Sequence, residues 1–260
     1  MHVIDNGIGR ALVLLHAFPV DAGMWDAVRA PLAEHVRVVT PDQRGLGRTP
    51  LADGAEHPPP DLDAVAGDVL RLLDDLGLER AVLGGCSMGG YVAMAVLRRA
   101  PERVAGLVLA STRASADGEE QRATRLAAAA RAEADGTAGW LADAMLPNLL
   151  GVTSRDERPE VVATVRSLVE RQPASGVAWA QRAMAARPDS SDLLRATRVP
   201  ALVLAGAEDR LMPPEVARGL ADLLPNSELA VLPRSGHLAP VETPDAFSAS
   251  VLDWLARTFD

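Results

Sequence analysis

The chain has 260 residues, 48% of them hydrophobic, and a formal net charge of −9. Its 26 basic residues are all arginine, which excludes a lysine Schiff base, and the acidic balance argues against a nucleic-acid surface, which needs a basic stripe. The one cysteine, Cys86, cannot form an internal disulfide, and no apolar run approaches the ~20 residues of a membrane helix.

This length suits one α/β domain whose core needs neither metal nor disulfides. The opening residues, Met1-His2-Val3-Ile4-Asp5-Asn6-Gly7, lack a basic n-region and an apolar h-region, so no secretory signal and a cytoplasmic location are expected. Residues 11–15 and 36–40 read as strands with a helix over 21–34 between them. Residues 61–76 carry Leu62, Val65, Val69, Leu72, Leu73 and Leu76 at helical spacing. A strand over 80–84, a helix over 90–99 ended by Pro101, and a strand over 104–110 follow. Such alternation implies a parallel sheet covered on both faces. From 112 to 198 the pattern changes to arginine- and alanine-rich helical periodicity without a strand. Helices are predicted over 116–134, 137–149, 158–172 and 175–186, separated by Gly136, Gly151, Pro159 and Pro173. Alternation resumes at Val199-Pro200, with strands over 201–205 and 229–232 and helices over 214–224 and 244–258. No internal repeat or long linker divides the chain.

Gly85-Cys86-Ser87-Met88-Gly89 stands between a strand and a helix. G-x-S-x-G in that setting is a nucleophile elbow, a sharp turn that projects the serine hydroxyl above the sheet. An acid, Glu208 or Asp209, and then His237 follow in the chain. Serine, acid, histidine is the order of a catalytic set on an open α/β sheet. Asp209 and His237 each follow a buried apolar run, so both are expected at the carboxyl edge of the sheet. Cys86 precedes the apex of the turn, and its thiol is expected to point into the interior. His2, His35 and His57 have no comparable neighbours.

Three further segments carry a resemblance that runs almost end to end. His16-Ala17-Phe18-Pro19 resembles the H-G-x-P oxyanion loop of the α/β-hydrolase superfamily, with alanine for glycine. Asp42-Gln43-Arg44-Gly45-Leu46-Gly47-Arg48-Thr49 resembles its D-x-R-G-x-G-x-S segment. Ser235-Gly236-His237 with Glu242, Pro244 and Phe247 resembles its G-H-x-x-x-x-E-x-P-x-x-F tail. Among its members the chain resembles bacterial hydrolases with small lids, such as 3-oxoadipate enol-lactonases and carboxylesterases.

The resemblance implies an α/β-hydrolase core formed by 1–112 and 199–260, with a helical lid inserted at 113–198. The short amino-terminal region implies that a leading antiparallel strand is missing or cut to a few residues. The family's G-x-x-D pattern selects Asp209, and Ala110-Ser111-Thr112-Arg113, the alternative place for an acid, has no carboxylate. The implied roles are nucleophile for Ser87, general base for His237, orienting acid for Asp209, and oxyanion donors for the backbone N–H groups of Phe18 and Met88. His16 is expected to brace the oxyanion loop. Trp25, Trp140, Trp179, Met24 and Met145 are candidates for lining the pocket, with packing as the other reading. Arg113 is a candidate for meeting a substrate carboxylate, with a solvated arginine as the other reading. The expected activity is hydrolysis of a small carboxylic ester or lactone, without cofactor or metal. The substrate is expected to be a small molecule, with no nucleic-acid or membrane partner. The same residues would also serve thioester or carbon–carbon hydrolysis, cofactor-free perhydrolysis, or a non-catalytic small-ligand receptor.

Overall fold

The computed structural model describes residues 1–51 and 60–259; His57 lies outside them. The first half comprises β1 (Val3–Asn6), β2 (Ala11–Leu15), α1 (Asp26–Ala33), β3 (Arg37–Pro41), α2 (Leu62–Asp75), β4 (Ala81–Cys86), α3 (Met88–Arg99) and β5 (Val104–Ala110). A helical segment follows: α4 (Glu119–Asp135), α5 (Leu141–Leu149), α6 (Val152–Glu157), α7 (Pro159–Glu170), α8 (Ala174–Ala186) and α9 (Ser191–Ala196). The chain then returns to the sheet with β6 (Ala201–Gly206), α10 (Pro214–Leu223), β7 (Ser227–Leu232), α11 (Ala239–Glu242) and α12 (Pro244–Phe259).

The sheet has seven strands in the order β1-β3-β2-β4-β5-β6-β7. All neighbours are parallel except β1, which pairs antiparallel with β3 from Val3 opposite Pro41 to Asn6 opposite Val38. This four-residue strand is the curtailed leading strand. Every residue of β2, β4 and β6 is buried, as parallel strands covered on both faces require. The apolar stripe of α2 buries Leu62, Val65, Val69, Leu72 and Leu73, and Asp61 caps its start by accepting the Asp63 N–H at 2.9 Å.

The chain runs from β2 outward to β3 and then back across β2 to β4. Right-handed crossovers therefore put α1 and α2 on opposite faces; α1 packs with α12, and α2 with α3. The reversal leaves a switch point between the carboxyl ends of β2 and β4, where open α/β sheets form their clefts. Within the helical segment α4 lies along α8, and α7 packs on α5 and α6. The six-residue helices α6 and α9 were not expected, because so few turns show no periodicity. Glu208 fastens the start of α6, accepting the Thr153 N–H at 2.8 Å and the Thr153 hydroxyl at 2.6 Å. Among the described residues no helix is long and apolar enough to cross a membrane.

Candidate active site

β4 ends in a turn so tight that Ser87 takes φ 52° and ψ −110°. A non-glycine residue holds that conformation only where its surroundings over-determine it. Here the Ser87 N–H donates to the Ala110 carbonyl at 2.9 Å, and the Ser87 carbonyl accepts from the Gly90 N–H at 3.0 Å and the Thr112 hydroxyl at 2.9 Å. A Cβ on Gly85 would strike the Gly89 backbone, and one on Gly89 would strike the Leu15 carbonyl. Two glycines thus let the elbow close and let α3 start directly against the loop that leaves β2.

That loop is braced from within. His16 is fully buried, and its Nε2 accepts the Gln43 N–H at 2.9 Å. The proton must therefore sit on Nδ1, which donates to the Ala17 carbonyl at 2.9 Å. Burial lowers the His16 pKa against weaker opposition from the Ala17 hydrogen bond and from Asp42 and Asp21, so the ring stays neutral. Gln43 Nε2 donates to the His16 carbonyl at 2.7 Å. Ala17 stands without a positive φ, so alanine fits where the family has glycine. Its N–H donates to Met24 Sδ at 3.2 Å. The next N–H, that of Phe18, and that of Met88 at the start of α3 donate to no described residue.

The loops after β6 and β7 bring Asp209 and His237 together. His237 Nδ1 donates to Asp209 Oδ2 at 2.8 Å and approaches Oδ1 at 3.1 Å, and both residues are buried. Asp209 Oδ1 also accepts the N–H groups of Leu211 and Met212, each at 2.9 Å. With Nδ1 protonated, Nε2 keeps its lone pair. Cys86 ties this loop to the elbow: its thiol donates to the His237 carbonyl at 3.5 Å. Burial first, then Asp209 and Glu242, push the thiol pKa up, so Cys86 is an inert neighbour. Glu208 turns the other way, to Thr153 on α6.

The candidates for lining a pocket each have defined packing partners. Trp25 is fully buried, 5.9 Å between ring centroids from Phe247, and belongs to the core. Trp140 is half-buried, donates to the Gly136 carbonyl at 2.8 Å and carries Arg131 over its ring. Met24 supports the Ala17 N–H, Met145 is a partly buried packing residue, and Trp179 is buried on α8. Arg113 pairs with the buried carboxylate of Asp117 and donates to Gln121 Oε1 at 3.2 Å. Its cation is thereby engaged by a carboxylate four residues ahead, in the segment that precedes α4.

Other residues that hold the site together gave no sequence signal as functional groups. Gln172, from the helical segment, donates to Asp21 Oδ2 at 2.8 Å and accepts the Gly47 N–H at 2.9 Å. Arg171 pairs with the same Asp21 at 2.5 Å. Burial would raise the Asp21 pKa, but the hydrogen bonds from Arg171, Gly23 and Gln172 outweigh it and the net shift is downward. Glu242, a residue of the carboxyl-terminal motif, accepts from Gly236 N–H (2.9 Å), Leu238 N–H (3.2 Å), Gly151 N–H (2.8 Å) and the Ser154 hydroxyl (2.7 Å). It thus joins the histidine loop to the start of α6.

A family model described as the alpha/beta hydrolase fold matches residues 10–244. The solved esterase of Thermogutta terrifontis, with malate bound, is 39% identical with a TM-score of 0.94, covering 98% of this chain and 93% of that one. The enol-lactonase of Burkholderia xenovorans LB400 is 30% identical with a TM-score of 0.88, covering 98% and 96%. The 2-hydroxy-6-oxo-2,4-heptadienoate hydrolase of Pseudomonas putida is 30% identical over 97% of this chain and 91% of its own. On fold, site geometry and these likenesses together, the chain belongs to the α/β-hydrolase family and is a hydrolase of that type.

Proposed function

We propose that the enzyme hydrolyses a small carboxylic ester or lactone through an acyl-enzyme on Ser87. The observation that carries this reading is the strained serine turn beside two uncommitted backbone donors, with a histidine whose Nδ1 is committed to a buried aspartate. Ser87 Oγ attacks the carbonyl carbon while His237 Nε2 takes its proton, and Asp209 stabilises the imidazolium that results. The negative charge that develops on the carbonyl oxygen falls between the N–H groups of Phe18 and Met88, reinforced by the amino-terminal dipole of α3. One such donor is worth on the order of 3 kcal/mol in the transition state. Collapse returns the proton to the leaving alkoxide. Water, deprotonated by His237, then releases the acid; from a lactone the product is a hydroxy acid. Residues 113–198 act in this reading as a lid, pinned by Gln172 and Arg171 on one side and by Ser154 on the other. The likeness to an esterase and an enol-lactonase favours oxygen esters over thioesters. A panel of short acyl esters, lactones and acyl thioesters tests the reading. Turnover of esters or lactones that Ser87→Ala abolishes is expected; turnover of thioesters alone, or by the variant, would overturn it.

A further inference from the structure

The helical segment leaves and rejoins the core through a narrow neck. The Ser190 N–H donates to the Ala114 carbonyl at 2.9 Å, and Arg187 Nη2 to the Ser115 carbonyl at 3.0 Å. Within this neck Asp117, whose side chain has no exposed surface, pairs with Arg187 at 2.8 Å, with Arg125 at 2.6 Å and with Arg113. Burial would raise the Asp117 pKa, but the hydrogen bonds from Arg187 and Arg125 outweigh it and keep the carboxyl well below the ordinary range. Nearby Arg98 meets Asp63 at 2.5 Å. With Asp189, which accepts the Ser191 N–H at 2.7 Å, four guanidinium groups therefore meet three carboxylates, and the neck carries one surplus positive charge that water screens poorly around the buried Arg187–Asp117 pair.

A cavity lies against this surplus, lined by Leu62, Tyr91, Arg98, Arg113, Arg187 and Ser190 among others. Tyr91 Oη, Arg113 Nε and Arg187 Nε are buried and make no hydrogen bond to a described residue. Tyr91 is 5% exposed and Arg187 6%, and the Arg187 guanidinium stacks over the Tyr91 ring at 4.0 Å. An arginine Nε–H only donates and a phenol hydroxyl readily does so, so what these groups need is an acceptor. The centre of a water-sized sphere has ≈ 10 Å³ to move in, which is room for one small particle. A water molecule would satisfy donors without touching the charge surplus; a monovalent anion does both. We propose that this cavity binds one small monovalent anion of halide size, fastening α3 to both strands of the lid's neck.

Thermal unfolding of the full chain in chloride and in gluconate at matched ionic strength tests the site, because gluconate is too bulky for the cavity. Saturating chloride should raise the midpoint by about 2–4 °C over gluconate. Tyr91→Phe, which removes only the hydroxyl, and Arg113→Gln, which lowers the charge surplus, should each shrink that difference. Bromide soaked into crystals should give an anomalous peak within hydrogen-bonding distance of Arg113 and Arg187. Equal midpoints in the two salts, or a bromide map with no peak in the cavity, would overturn the proposal. Both wild-type measurements decide the question even if a variant fails to fold.

Discussion

Replacing Asp209 by asparagine should disable the enzyme while leaving its fold intact, and the hydrogen bonds around the residue say why. Asp209 Oδ1 already accepts two backbone N–H groups, from Leu211 and Met212. An asparagine must keep its carbonyl oxygen there, so its NH₂ replaces Oδ2, 2.8 Å from His237 Nδ1. Two donors cannot face each other, so Nδ1 gives up its proton and Nε2 acquires it. A protonated Nε2 cannot take the proton of Ser87. In a comparable triad the wrong tautomer costs about 10⁴ in turnover, or ~5.5 kcal/mol of barrier. Glu208→Gln is the control, since Glu208 serves Thr153. Weakening that pair should lower stability by about 1 kcal/mol and the unfolding midpoint by ~2–4 °C, with turnover nearly unchanged. The assay is kcat and KM on a chromogenic short-chain ester, with a thermal melt of each variant. Equal losses of kcat in the two variants, or an Asp209→Asn enzyme within tenfold of wild type, would refute the reasoning.

Gln172→Leu would strip a partner from the Gly47 N–H and from one oxygen of Asp21. Urea unfolding should show a loss of about 1–3 kcal/mol, and an unchanged midpoint would mean that the helical segment is not pinned there. The neutral, buried His16 predicts a pH effect of definite sign. Its folded pKa is lowered, so as pH falls through ~6.5 the unfolded chain takes up a proton that the folded one refuses. Stability should therefore decline in that window, by up to ~1.4 kcal/mol per pH unit from this group. His16→Asn should flatten the decline, and an unaltered slope would contradict the assignment.

How much of this was legible beforehand follows from how local each signal is. The elbow could be read because strand, glycines, serine and helix are contiguous; strand–helix alternation pointed to a covered parallel sheet, and the motif resemblance to the α/β-hydrolase fold. α6 escaped notice because six residues show no periodicity and Glu208, which holds its first turn, lies 55 positions further along the chain. Glu242 was visible as a motif residue, but its work in holding the histidine loop to α6 depends on partners about ninety positions away. Gln172 and Asp21 likewise meet only in three dimensions. For Arg113 the sequence left open a substrate carboxylate or a solvated arginine, because the buried Asp117 carboxylate that pairs with it was not recognised as its partner. Trp25 was a pocket candidate by residue type alone, and the packing of Phe247 claims it for the core.

The central claim, an activated serine at position 87, is tested most directly by mass spectrometry of the protein after reaction with a fluorophosphonate. The account predicts one adduct per chain, on the peptide that carries Ser87, and none on Ser87→Ala. It also predicts that labelling slows by orders of magnitude in Asp209→Asn, since the reagent needs the same proton transfer. An adduct on Cys86 or another residue, or a protein that turns over esters while its Ser87 stays unlabelled, would contradict it.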